Sequence, residues 1–281
     1  VLSYRHAFHA GNHADVLKHF VLVQLVRQLT RKEKALAVID THAGAGIYPL
    51  RHGYAAKHAE YANGIGRVWA AAKLPPALAD YVDQVRAVNP DGELRQYPGS
   101  PQIVAQLLRP QDRLRAFELH STDSRALREH FAPAGRQVAV VAGDGFAGLK
   151  ALLPPPSRRA LVLIDPSYEV RTDYRAVRAA LRDALTRFAT GTYAVWYPRL
   201  ARRESENLPE ELKRIAPGDW LHVWLRVRAP VAGGFGLFGS GMFVFNPPWN
   251  LEKIVTPVMP LLVTALGQDE EAAYGLAFRQ T

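Results

Sequence analysis

No cysteine occurs anywhere in the 281 residues. That excludes a disulfide framework and any thiolate metal site, and it fits a reducing cytoplasm. Also missing is any apolar run approaching the roughly 20 residues that span a bilayer. The opening VLSYRHAFHAGNHAD holds no apolar core of the kind a secretory leader uses. A cytoplasmic protein with no membrane partner is expected. Acidic residues are in deficit: 26 Asp plus Glu face 35 Lys plus Arg, a formal charge of +9. Because the basic residues recur from Arg27 to Arg228, a polyanionic partner is expected, although net charge argues attraction and not fold. His6, His9, His13 and His19 cluster near the start, but no H-E-x-x-H and no carboxylate at helical spacing completes a ligand set. No metal is expected, and contact with an anionic ligand is the better use of these histidines.

What is present is a chain with 48% apolar residues, enough for a sizeable core. From Asn12 to about Arg31 the period is helical, with Val16, Phe20, Val23 and then Val26 or Arg27 on successive turns and Asn12 as the N-cap. Short apolar runs of strand length follow at 35–39 (ALAVI), 113–118 (RLRAFE), 137–142 (QVAVVA), 160–164 (ALVLI), 192–196 (TYAVW), 221–227 (LHVWLRV) and 242–245 (MFVF), seven in all. Helical stretches at 101–108, 124–131, 174–188 and 204–215 separate them, so the alternation is that of a doubly wound α/β sheet. The glycine-rich 228–241 has no helical period, which suggests a hairpin and an antiparallel last strand.

One connection is too long for a simple crossover. Residues 48–94 hold two amphipathic candidates, around 61–72 and 77–88, separated by Leu74-Pro75-Pro76. A small inserted helical subdomain is expected there. It divides the chain into 1–47 (arm, helix and first strand), 48–94 (insertion) and 95–281 (the remainder). The delayed crossover helix then starts at Gly99-Ser100-Pro101, with Ser100 as N-cap and Pro101 at the first helical position.

The chemistry concentrates where strands end. Asp40-Thr-His42-Ala-Gly44-Ala-Gly46 follows the first run, and its glycines let a ligand approach the backbone. Glu118 closes RLRAFE, where a carboxylate can accept both hydroxyls of a ribose; Gly143-Asp144-Gly145 closes the next run and could hold an adenine amine. Each alone has a plain reading as turn or surface, but three successive strand ends on one edge are far less easily accidental. Two loops of the form polar residue, proline, any residue, aromatic then compete. Asp165-Pro166-Ser167-Tyr168 ends a parallel strand on that edge, whereas Asn246-Pro247-Pro248-Trp249 follows the antiparallel strand and should emerge at the opposite edge. The less perfect motif is the better placed one. Gly234-Phe-Gly236-Leu-Phe-Gly239 matches a dinucleotide pattern but precedes a strand, so no helix N-terminus awaits a pyrophosphate.

The stretch Tyr4-Arg-His-Ala-Phe-His-Ala-Gly-Asn-His-Ala-Asp-Val-Leu-Lys18-His19, followed by Asp40-Thr-His-Ala-Gly-Ala-Gly46, closely resembles the RlmJ family of bacterial ribosomal RNA adenine-N6 methyltransferases. The likeness runs end to end through YPGSP, Glu118, SRRALVLIDP, RFATGTYAVWYP and SGMFVFNPPW. It implies a Rossmann-like class I methyltransferase fold, S-adenosylmethionine as cofactor and one adenine of 23S ribosomal RNA as substrate, with a monomer expected. Carried over by residue, Lys18, His19, His42, Ser100, Glu118, Asp144 and Gly145 would contact the cofactor, together with Gly44 of the glycine turn. Asp165 would be catalytic, and Tyr4 would meet the RNA. Ser167 departs from the family's second proline, which bears on the stiffness of the loop.

Adenine's amine is a poor nucleophile because its lone pair is delocalised into the ring. If the Asp165 carboxylate and the Pro166 carbonyl both accept its protons, the lone pair localises and can be aimed at a methyl donor. Tyr168 is expected to stack on the base, which must leave its own stack to arrive. Lys and Arg residues of the insertion and the arm from Tyr4 to His9 are the expected RNA contacts. A DNA adenine-N6 methyltransferase and a non-catalytic nucleic-acid-binding protein with a drifted loop stay open as alternatives, and a nicotinamide oxidoreductase rests only on the discounted glycine pattern.

Overall fold

Asn12 caps the first helix from an extended backbone, its side-chain oxygen accepting from the N–H groups of Ala14 and Asp15 at 2.9 and 3.1 Å. That helix, α1 (His13–Thr30), is buried at every position from His13 to Val26. A helix buried on all sides is packed on all sides, so its polar residues, Asp15, Lys18, His19 and Gln24 among them, must find partners inside the fold. The computed structural model describes residues 6–52, 59–230 and 236–280. Among these, the strands are β1 (Ala37–Asp40), β2 (Ile47–Pro49), β3 (Gln96–Pro98), β4 (Arg113–Glu118), β5 (Val138–Ala142), β6 (Ala160–Ile164), β7 (Thr192–Arg199), β8 (Trp220–Arg226), β9 (Gly239–Phe245) and β10 (Ala273–Arg279). The further helices are α2 (Ile65–Trp69), α3 (Pro76–Ala87), α4 (Ser100–Leu107), α5 (Ser121–Phe131), α6 (Gly145–Leu152), α7 (Thr172–Arg187), α8 (Arg203–Ile215), α9 (Leu251–Val255) and α10 (Met259–Leu266). None of them is long and apolar enough to cross a membrane.

The main sheet has the order β10-β8-β9-β7-β6-β1-β4-β5. Strands β5, β4, β1, β6 and β7 are parallel, β9 lies antiparallel between β7 and β8, and β10 is antiparallel to β8. Strand order runs outward from β1 in one direction and from β6 in the other. With right-handed crossovers this puts helices on both faces and leaves a crevice at the carboxyl ends where the direction switches. In agreement, α1 packs on α4, while α6, α7 and α8 pack in succession.

The sheet has eight strands where the sequence suggests seven. The extra one, β10, is an edge strand whose residues are all exposed or half-exposed, so it carries little of the apolar alternation by which strands are recognised. Gly275 within it lies over the Trp224 indole, where a Cβ would come within 2.3 Å of the ring nitrogen. A second departure is the excursion between β1 and β4, which is clasped at its base by the antiparallel pair β2 and β3. Leu78, Tyr81, Val82 and Val85 of α3 are buried in it, α3 packs on α1, and their apolar surface is continuous with the main core.

The direction of β9 decides which edge each proline loop occupies. Asn246 follows β9 beside the start of β7, with φ of 48° and its side-chain amide donating to the carbonyls of Ala189 and Gly191, each at 2.7 Å. It is a structural clamp at the far edge. β8, antiparallel to β9, runs the same way as β7, so its end and the following connection return to the edge that carries Asp40, Glu118 and Asp165. The discounted glycine pattern falls in that connection, partly outside the described residues.

Candidate active site

The carboxyl ends of β1, β4, β5, β6, β7 and β8 open into one cavity of about 870 Å³, roofed by the N-terminal part of α1. The turn after β1 is held from below. Asp40 is fully buried and accepts from the Ser100 hydroxyl at 2.6 Å and, more weakly, from the His42 backbone N–H at 3.3 Å. Burial pushes the Asp40 carboxyl up to about 7, against the pull of these two donors. Ser100 is therefore not the N-cap of α4: Gly99 occupies that position and the serine hydroxyl is spent on Asp40. The Thr41 hydroxyl, which donates to the Leu163 carbonyl at 3.0 Å, accepts from His42 Nδ1 at 2.8 Å, and the His42 ring sits edge-on to Phe146 at 5.0 Å. Burial lowers its imidazole to about 4, so it is neutral at pH 7.

Gly44 has φ of +63° and donates its N–H to Glu118 Oε2 at 2.8 Å. The other Glu118 oxygen accepts from the His120 N–H at 2.7 Å, so the carboxylate is fixed by backbone on both sides. Burial raises its pKa although both bonds oppose the shift. Asp144 caps α6, Oδ1 accepting from the Phe146 N–H at 2.8 Å. At Gly145 the next turn passes so close to Thr41 that a Cβ would lie 2.2 Å from its carbonyl oxygen. The turns after β1 and β5 are thus packed together without side chains between them.

Asp165 ends β6 and faces the same cavity, with Lys18 of α1 at 2.6 Å from Oδ2. Lys18 also lies 2.9 Å from Asp15 Oδ1, and Asp15 accepts from His6 at 3.0 Å and from the Gly11 N–H at 2.9 Å. Burial alone would strip the Lys18 proton, but the two carboxylates outweigh it and hold the ammonium charged well above its ordinary range. Burial pushes Asp165 up while Lys18 pulls it back, leaving it above the usual carboxylate range. The nearest partner of Lys18 is thus the Asp165 carboxylate. His19 lines the cavity too, yet its Nδ1 is tied to the Tyr97 hydroxyl at 2.7 Å and onward to Tyr81 at 2.9 Å, and its buried Nε2 has no partner among the described residues.

Tyr168 differs from expectation. Its ring is 1% exposed, packed against Tyr174 and Trp196 with centroids 4.7 and 6.0 Å away, and its hydroxyl donates to the Trp196 carbonyl at 2.8 Å. In this conformation, with φ of 52°, it offers no open face to a base. Tyr4 lies outside the described residues. Motif reading also missed several groups on the cavity wall: Trp196, Arg202 and Arg228. Glu60 of the excursion, bonded to His9 and Asn12 at 3.0 Å, was equally silent. Isolated residues far apart in sequence leave no spacing to read.

The model of the family described as ribosomal RNA large subunit methyltransferase D, RlmJ, matches residues 33–277. The ribosomal RNA large subunit methyltransferase J of Escherichia coli (strain K12) is 46% identical over 266 residues, covering 95% of this chain and 94% of that one. That of Haemophilus influenzae is 45% identical over 267 residues, with the same shares covered. A crystal structure of a Legionella pneumophila protein superimposes with a TM-score of 0.88 at 35% identity, over 96% of this chain and 98% of the other. With the loop of Asp165, the turn of Gly44 and the carboxylate of Glu118 on one cavity, and likeness of this extent along nearly the whole length, the chain belongs to the RlmJ family of ribosomal RNA large subunit methyltransferases.

Proposed function

We propose that the chain transfers the methyl group of S-adenosylmethionine to the N6 amine of one adenine in 23S ribosomal RNA. The observation that carries this reading is the convergence of Asp165-Pro166 with Glu118 and Asp144 on one cavity at the switch of strand order. The donor set fits the cofactor. Glu118, held rigid by two backbone N–H groups, keeps lone pairs for ribose hydroxyls. Asp144 spends one oxygen on its cap and has the other for an adenine amine. Gly44 and Gly145 leave the turns bare for close approach. When bound, S-adenosylmethionine supplies an electrophilic methyl on a sulfonium.

On the acceptor side, Lys18 engages Asp165 Oδ2 and leaves Oδ1 without a partner among the described residues. Oδ1 and the Pro166 carbonyl would accept the two N6 protons, localising the nitrogen lone pair and aiming it. The raised pKa of Asp165 makes it a stronger acceptor for the proton released on transfer. A ribosomal RNA substrate supports a cytoplasmic site of action. The test is transfer of labelled methyl from S-adenosylmethionine to ribosomal RNA and to genomic DNA, followed by nucleoside digestion. The label is expected in N6-methyladenosine from large-subunit RNA; label in DNA, or in another nucleoside, would overturn the reading.

A further inference from the structure

Two arginines lie on the acceptor wall of the cavity. Arg202, immediately before α8, and Arg228, just beyond β8, both line the cavity and are half-buried. Neither has a carboxylate partner among the described residues. Other arginines nearby are neutralised: Arg226 pairs with Glu271 at 3.1 Å, Arg171 with Glu204 at 3.5 Å, and Arg178 with Glu211. Arg202 spends one long bond, 3.4 Å, on the Tyr168 carbonyl. Arg228 spends one of 3.4 Å on the Leu237 carbonyl, and its buried Nε has no acceptor among the described residues. A guanidinium carries five N–H donors and does not give up its charge. Two that have lost part of their hydration for one marginal bond each are built to receive an anion.

The anion is not a cofactor phosphate, since S-adenosylmethionine has none. Nor does the cofactor wall call for arginine: there the charged groups are Glu118, Asp123 and Asp144. His13, which feels the Arg228 charge, adds no positive charge of its own. Burial first, and Arg228 in addition, push it down to about 4, although Glu60 works the other way. Glu169 and Asp173 line the acceptor half as well, so an anion arriving there must be held against them by the two guanidinium groups. An adenine drawn out of its stack brings its own 5′ and 3′ phosphates to the cavity mouth.

We propose that Arg202 and Arg228 clamp the RNA backbone phosphates flanking the adenine presented to Asp165. This rests on the ribosomal RNA reading above and extends it to the cavity wall formed by the ends of β7 and β8.

The test uses the full chain with Arg202→Gln, Arg228→Gln, the double substitution and Arg228→Lys. The probes are a large-subunit ribosomal RNA transcript that the unsubstituted chain methylates, and S-adenosylhomocysteine for the cofactor wall. Each single Gln variant is expected to weaken RNA binding by about tenfold and to flatten the log–log salt dependence by about 0.7, the value for one single-strand phosphate contact. The double variant should lose about twice that slope, Arg228→Lys should recover part of the affinity, and S-adenosylhomocysteine affinity should stay within about twofold. That last readout also reports that the variants are folded. Unchanged RNA affinity and salt slope would overturn the clamp while the methyltransferase reading stands. So would a loss confined to S-adenosylhomocysteine, which would assign the arginines to the cofactor's carboxylate. An unsubstituted chain that methylates no ribosomal RNA would bring down the functional reading and the clamp together.

Discussion

Lys18 Nζ lies 2.6 Å from Asp165 Oδ2 and is itself nearly inaccessible to water. The helix that opens the chain therefore reaches into the loop that ends β6, with Asp15 as the second anchor at 2.9 Å. A buried ammonium between two carboxylates fixes which oxygen of Asp165 is occupied and which is left for another partner. Removing one partner of such a set leaves uncompensated charge, which costs about 3–5 kcal/mol.

Lys18→Met is accordingly expected to lower the unfolding free energy by that order and to raise the Asp165 pKa further, since the Lys18 charge is what pulls it back. An acceptor that must be ionised is lost as pH falls through its pKa, so the acid limb of the rate profile moves to higher pH. Single-turnover methylation between pH 5 and 8 with a folded variant measures this. An acid limb in the same place would mean that Lys18 serves stability alone.

Glu118→Gln tests the cofactor wall. The amide keeps one acceptor oxygen but cannot serve both the Gly44 and His120 N–H groups and two ribose hydroxyls. Loss of about 1.5–3 kcal/mol per charge-assisted bond is expected in S-adenosylhomocysteine affinity. Calorimetry giving wild-type affinity would remove Glu118 from the site.

The two proline loops should separate cleanly. Asp165→Ala is expected to abolish transfer with cofactor affinity largely kept. Asn246→Ala removes two bonds to the carbonyls of Ala189 and Gly191 and puts alanine at φ of 48°. It should cost about 1–3 kcal/mol of stability with little change in turnover. Thermal unfolding and turnover on both variants decide it: a folded, inactive Asn246→Ala would contradict the placement of that loop at the far edge.

The contrast between those loops was legible in sequence because it needs only strand direction, and the glycine-rich 228–241 indicated the reversal. Cap residues and alternating apolar runs likewise reported local structure, as at Asn12. The interior roles of polar residues were not legible. Ser100 could be read as a cap because it precedes Pro101, yet the buried Asp40 carboxylate at the end of β1 takes its hydroxyl at 2.6 Å. Lys18, His19 and Tyr168 have partners 147, 78 and 28 residues away in sequence. Such pairings depend on tertiary packing, which local pattern does not encode.

Asp40 makes stability depend on pH in the unusual direction. Its folded pKa is raised to about 7, whereas in the unfolded chain it ionises near 4. Between those values the folded state holds more protons, so the Asp40 contribution falls as pH rises through this window. Asp40→Asn should remove that component. Melting temperatures of the two proteins compared from pH 5 to 8 should show the natural chain losing ground relative to the variant as pH rises, and parallel curves would refute the assignment.

Ser167 is where the loop departs from its family, and its surroundings indicate how much that matters. Its backbone N–H makes no hydrogen bond among the described residues, and its Oγ accepts only a long 3.4 Å contact from the Glu169 N–H. Proline at this position would lose little bonding, would fix φ near −65°, and would bias Pro166 towards extended backbone. Restricting the chain in this way is worth about 0.4–1 kcal/mol where the native backbone is compatible, a two- to fivefold effect. The groups that meet the amine, Asp165 Oδ1 and the Pro166 carbonyl, do not include the side chain at 167. Tyr168 is held independently, by its hydroxyl on the Trp196 carbonyl and by its packing on Tyr174. Ser167→Pro is therefore expected to change kcat/KM by less than about tenfold in single-turnover methylation of ribosomal RNA. An inactive natural chain that gains orders of magnitude with proline would show that the loop has decayed and that the protein binds RNA without modifying it.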